Sequence, residues 1–224
     1  MAIAFVQSKS AQGSASPPSL TLTSTATSGN LLVVAVSSSL TGTHTVSGFT
    51  ALTSASAGSG AAQRSLRLFY KVSVGTESVI TSSAQSNWDM FAAEYSGIYS
   101  VTQLDVENCA VNAAGTTQVT PSVTPTSAVE RLIVSVTMHR DNLTPSNIQI
   151  GGTTSGVNSR ETQSNSNNDS TNFADKIIAS TSGSYSGSSD WSTSKVGAGG
   201  IAIFQGVPAA TEGSNQLMMM GVGT

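Results

Sequence analysis

The residues of this chain that could do chemistry are few and far apart. His44 and His139 are the only imidazoles, and Asp141 follows His139 by two positions. At a strand end that spacing brings a ring and a carboxylate near one another. A metal site needs three or four converging ligands, and this pair supplies two. Both histidines therefore read as surface or hydrogen-bonded side chains. A glycoside hydrolase needs two facing carboxylates. Acids from Asp89 to Asp190 are available, but no spacing selects a pair. Glu94, just ahead of Tyr95-Ser96-Gly97, reads as an outward carboxylate at a strand terminus; buried, it would carry a raised pKa. Gly183-Ser184-Tyr185-Ser186-Gly187 has tyrosine at its centre, so it is no nucleophile elbow. Cys109 is the only cysteine, which excludes an intrachain disulfide and a cysteine-built metal site. It reads as a small buried apolar residue. The expectation is no catalytic, metal or cofactor residue, and no enzyme.

Two features could serve recognition instead. Trp88 and Trp191 are the only tryptophans; an exposed indole can stack on a sugar ring, whereas a core or rim position is the ordinary reading. The segment Gln216-Leu217-Met218-Met219-Met220-Gly221-Val222 places flexible apolar side chains near a terminus. Such side chains call for cover. Leu217, Met218, Met219, Met220 and Val222 are thus expected to dock onto a partner or a symmetry mate, with 208–224 acting as a docking tail behind a domain over 1–207.

Composition says what must position these residues. The 224 residues include 40 serines and 27 threonines, with 38% apolar and only 9% charged. An ordinary soluble domain carries about a quarter charged residues, so hydroxyls and amides must solvate this surface. Ser, Thr and Gly disfavour helix, while Val, Ile and Thr suit a pleated sheet. With net charge −3 and nine scattered Lys and Arg, no basic stripe exists to neutralise phosphates, and nucleic acid is not an expected partner. The start, Met1-Ala-Ile-Ala-Phe-Val-Gln, lacks the basic and apolar regions of a signal peptide. No apolar run is long enough to span a membrane. The expected setting is a host cytoplasm for synthesis and a particle for function.

Short strands separated by turns are expected over Ile3–Gln7, Leu20–Thr23, Leu31–Val36, Thr45–Phe49, Leu66–Val72, Ser78–Ser82 and Met90–Tyr95. Leu31–Val36 is continuously apolar and β-branched, as in a central strand covered on both faces. Val74-Gly75-Thr76-Glu77 signals a hairpin. Leu104–Val106 and Gln118–Thr120 are expected to pair as edge strands, and Gly151–Asn172 to form a long exposed loop. Strand character returns at Arg131–Val136, Phe173–Ile178 and Gly200–Phe204.

The two halves echo one another, about 1–98 and 110–207. Leu31–Val36 matches Leu132–Thr137, Tyr70-Lys71-Val72 matches Asp175-Lys176-Ile177, and Ala93-Glu94-Tyr95-Ser96-Gly97-Ile98 is echoed by Ile203-Phe204-Gln205-Gly206-Val207. Together these patterns predict an all-β fold, an antiparallel β-sandwich of jelly-roll type with pseudo-repeated halves.

The succession of GNLLVVAV at Gly29–Val36, RLFYKV at Arg67–Val72, AEYSGI at Ala93–Ile98, Leu104-Asp105, and RLIVSV at Arg131–Val136 resembles the β-sandwich proteins of tailed-phage particles and of some secreted bacterial proteins. The resemblance implies a jelly-roll-like, non-catalytic module on a virion, as a head decoration or tail-associated protein. Its implied partners are the major capsid protein or other virion subunits, met in a homo-oligomer or symmetric array. It carries over no functional residue. The alternative is a carbohydrate-binding or adhesive module of a phage fibre or secreted protein.

Overall fold

The computed structural model describes residues 1–39, 44–57, 63–83, 87–126, 128–165, 169–179 and 183–208. Among the described residues eleven of thirteen strands build two large antiparallel sheets that pack as a sandwich, and the other two pair as a small third sheet. The first half contributes β1 (Ala4–Gly13), β2 (Ser19–Thr21), β3 (Leu31–Ser38), β4 (Thr50–Ala57), β5 (Arg64–Val72), β6 (Val79–Thr81) and β7 (Trp88–Ser96). The second contributes β8 (Leu104–Val119), β9 (Arg131–His139), β10 (Ser146–Ile150), β11 (Asn158–Asn165), β12 (Asp169–Ile178) and β13 (Gly187–Gln205). No helix occurs among the described residues.

The same path is traced twice. Sheet one has the order β1-β7-β3-β5-β4; sheet two runs β8-β13-β9-β12-β11, with β10 on the early part of β13. Registers coincide as well. Leu31 faces Tyr95 on one side and Val72 on the other, and Leu132 faces Phe204 and Ile177. A bulge at Phe5/Gln7 has its counterpart at Leu104/Val106, and one at Ala51/Ser54 recurs at Ser159/Glu161. Even minor pairings repeat: Leu20 with Ile80 corresponds to Val123 with Tyr185, and Val46 with Ser82 to Ile150 with Gly187. The counterpart of β1 is β8, so the second path starts at Leu104, ahead of position 110.

Each large sheet is covered on both faces, which explains the unbroken apolar runs. Along β3, Leu31, Val33 and Ala35 enter a core between the two sheets, joined there by Leu132, Val134 and Val136 of β9. The alternate residues Leu32, Val34 and Val36 meet Leu20, Val46 and Ile80 beneath the small β2–β6 layer. On the far side of sheet two, Ile133 and Ile203 are roofed by Val123, Ile150 and Tyr185. Fully burying one such aliphatic side chain stabilises by about 1.5–3 kcal/mol. A polar residue at Val33, Val34 or Ala35 would therefore meet apolar neighbours.

Several expectations change. Thr45–Phe49 is not a strand: only Val46 bridges to Ser82, and Gly48 (φ +77°) turns the chain into β4. Val74–Glu77 is a turn without a hairpin, because β6 pairs with β2 and not with β5. Gly75, in the left-handed region at φ +87°, redirects the chain from sheet one to its covering layer. Leu104–Val106 and Gln118-Val119 belong to one long strand, β8, and pair with β13 instead of with each other. The stretch 151–172 is no long loop; it contains β11 and the start of β12, paired in a hairpin. Leu217, Met218, Met219, Met220 and Val222 lie outside the described residues.

Candidate functional site

Polar side chains that could do chemistry converge at the seam between the sheets and at one end of it. At that end β3, β5 and β7 of sheet one meet the start of β12. Ser37 Oγ lies 2.9 Å from Thr171 Oγ1, which donates to Asp89 Oδ2 at 3.0 Å. Beside them the Arg64 guanidinium contacts the Asp169 carboxylate, both side chains being 2% exposed. Burial pushes the Asp169 carboxyl up to about 7, with Arg64 opposing and Asp89 assisting the rise. A dry environment disfavours either charge alone.

His44 completes this end. Its Nε2 is 2.8 Å from Ser65 Oγ, which in turn lies 3.1 Å from Ser38 Oγ. Burial lowers the imidazole to about 4, so it is neutral at pH 7. Serine and neutral imidazole at that distance are a nucleophile and a base in principle. Two features oppose that use. Among the described residues nothing accepts from His44 Nδ1, so no third group orients the ring, and Ser65 is 1% exposed. What the arrangement does is hold the strand ends together.

His139 and Asp141 do come near one another, the Asp141 backbone N–H donating to the His139 carbonyl at 3.1 Å, but their side chains take different partners. The His139 ring stacks on Trp191 at 5.0 Å and 8°, and its Nε2 reaches the Thr193 carbonyl at 3.0 Å. Burial lowers its pKa. Asp141 accepts from Thr193 Oγ1 at 2.9 Å, and that bond holds its carboxyl below the usual range. Trp191 is 3% exposed; Trp88, 6% exposed, packs under β2 and donates Nε1 to the Ala15 carbonyl at 2.6 Å. Neither indole presents a face to solvent. Cys109 is buried between the sheets, its thiol pushed up to about 12 by burial. At that value it is no nucleophile at neutral pH.

Glu94 corrects both readings of it. It points inward, fully buried, and its Oε1 accepts from Thr27 N (2.8 Å) and Asn30 Nδ2 (2.6 Å), while Oε2 accepts from Gln7 Nε2 (2.6 Å). Burial alone would raise its pKa, but these hydrogen bonds outweigh it and hold the carboxylate below its ordinary value. The cue was Asn30 in the Ser28-Gly29-Asn30 turn, a donor with no partner visible in sequence.

Sequence reasoning also missed the knot around Asp175. This buried carboxylate accepts from Tyr95 OH across the seam at 2.7 Å, from Asn158 Nδ2 at 3.0 Å and from the Arg160 guanidinium at 3.1 Å. Arg160 in turn lies 3.7 Å from the Phe5 ring centroid, a cation–π contact that also spans the seam. Among the described residues no group of three or more His, Cys, Asp or Glu could hold a metal ion. Matching against family models, curated proteins and solved structures finds no relative of the chain.

Proposed function

We propose that the chain is a structural virion protein: a sandwich of jelly-roll type that decorates or cements a phage head, or belongs to its tail, through protein–protein contacts. One observation carries the reading. The side chains best equipped for chemistry are engaged in holding strands together: His44, His139, Glu94, Asp175 and the Arg64–Asp169 pair are all buried. What is left to meet other molecules is a hydroxyl- and amide-rich surface. In each half the first and last strands lie side by side in the main sheet, β1 beside β7 and β8 beside β13, as in a jelly roll, which supports that part of the proposal.

In this reading the partners are the major capsid protein or other virion subunits, met repeatedly by symmetry, without nucleic acid or membrane. An interface of roughly 1,600 Å² per contact suffices. A subunit bridging neighbours stabilises the shell because separating them also breaks its own contacts. The tail segment Leu217–Val222 supplies the docking apolar surface. Deleting it should abolish incorporation into particles while leaving the sandwich folded. A truncated chain that still co-purifies with particles at full occupancy contradicts the docking role. For the carbohydrate-binding alternative, burial of Trp88 and Trp191 removes the stacking platforms proposed for it.

A further inference from the structure

The contacts across the seam come in reciprocal pairs, as they do at a two-fold interface between identical subunits. Thr53 of β4 donates to Glu107 of β8 at 2.7 Å. In the repeated register Thr53 corresponds to Glu161 and Glu107 to Ser8, and Ser8 donates to Glu161 at 2.8 Å. Tyr95 with Asp175 (2.7 Å) has as its reciprocal Tyr70 with Phe204, an edge-to-face pair 5.5 Å apart. The halves of this one chain are thus related as partners in a dimer.

In such an interface a residue on the axis meets its own counterpart. Ser65 pairs with Ser38 and Ser170 with His139, at matching register. Arg64 and Asp169, one residue earlier in each strand, therefore occupy the same position in the two halves. They touch each other. Their contact lies on the pseudo-axis, and there the two halves carry opposite charges. Two first halves paired with each other would bury two arginines at this point, and two second halves two aspartates. Neither compensates a charge in this dry site: two guanidiniums repel, and two carboxyls must take up a proton to avoid doing so. Only first half against second half gives an opposite-charge pair.

We propose that Arg64 and Asp169 form a recognition lock, which makes the seam surface of each half accept the opposite half and reject a like half from a second copy of the chain. The centre of the opposing faces is apolar over Leu66, Leu68, Phe91 and Val134, and apolar surface alone discriminates poorly between similar partners. The lock keeps first halves of neighbouring copies from pairing with one another, and second halves likewise.

The full chain tests this with Arg64→Asp, Asp169→Arg and the double exchange. Each single variant removes the opposite-charge contact on the axis and should lower the melting midpoint by roughly 10 °C. The double variant restores an opposite pair with inverted polarity and should regain at least half of that loss. Singles that melt within two or three degrees of wild type, or a double that melts as the sum of its singles, overturn the proposal. A second arm uses Arg64→Leu/Asp169→Leu, an apolar pair compatible with folding. Refolded at high concentration, it should form at least several-fold more like-half dimer than wild type, read by close-range energy transfer between the first halves of differently labelled chains. An equal yield overturns the lock.

Discussion

The two halves follow one backbone path and fill it differently. At the position where the first half has Tyr95, the second has Phe204; where the first has Tyr70, the second has Asp175. Across the seam one side is therefore joined by a phenol–carboxylate hydrogen bond and the other by two rings edge to face. Phe91 stacks on Phe173 at 6.3 Å, while the reciprocal position sets Leu68 against Gly200. Glu94 gathers Gln7, Thr27 and Asn30 in the first half, and its counterpart in the second is Ile203, packed among aliphatics. Strand register is set by backbone ladders and bulges, so side chains at equivalent places are free to diverge provided each local contact stays complete.

Breaking the larger ring contact should have the greatest effect. Phe91→Ala is expected to cost about 3–5 kcal/mol in denaturant unfolding, since it leaves a cavity between two sheets. At the reciprocal place the opposite error applies. A Cβ on Gly200 would stand 2.5 Å from Leu68 Cδ1, so Gly200→Ala should cost about 1–3 kcal/mol through overpacking. Adding Leu68→Ala to that variant should recover part of the loss in a double-mutant cycle.

Copying one half into the other is the next test. Glu94→Ile reproduces the second half's residue, yet Gln7, Asn30 and Thr27 would keep buried donors with no acceptor. A loss of about 3 kcal/mol at pH 7 follows. Glu94 is held below its ordinary pKa, so its contribution is present at neutral pH and fades as pH falls through the folded value. The wild type minus Glu94→Ile difference should shrink in acid, measured by urea titration at several pH values.

Titration sets Asp169 against the two histidines. Asp169, raised to about 7, binds a proton more tightly folded than unfolded. Its contribution is full below the ordinary aspartate range and is lost as pH rises through 7. His44, lowered to about 4, has the opposite sign: its contribution is present above the ordinary histidine value and lost as pH falls towards 4. His139 adds to the same side. Each group changes stability by about 1 kcal/mol per pH unit within its window, so between roughly pH 4 and 6.5 they oppose one another. Asp169→Asn should uncover a stability that rises with pH, and His44→Gln one that falls. The smallest effects belong to the seam's rims, where Glu107→Gln and Glu161→Gln should each cost under ~1 kcal/mol.

Much of the frame could be read from residue pattern. Leu31–Val36 and Arg131–Val136 announce strands covered on both faces, and β3 and β9 are buried throughout. The polar strands β4 and β11 could not be read. Both are edge strands with a bulge, and on β4 it sets the buried Leu52 and Ala55 three residues apart, which erases the period-two signal. Glu94, Asp175 and Asp169 were equally hidden, because their partners are remote in sequence and nothing local marks a carboxylate as inward-facing. Trp191 is buried as its ordinary reading implies, but its setting was not legible: β13 extends from Gly187 to Gln205 and stacks it on His139.

An image of the protein in its native assembly reaches furthest into this account, which assigns the work to an outer surface and the reactive groups to internal bracing. The account predicts copies ordered by the symmetry of a phage head or tail, each sandwich abutting neighbouring subunits. A chain found apart from any particle, turning over a substrate or binding a glycan saturably, contradicts it.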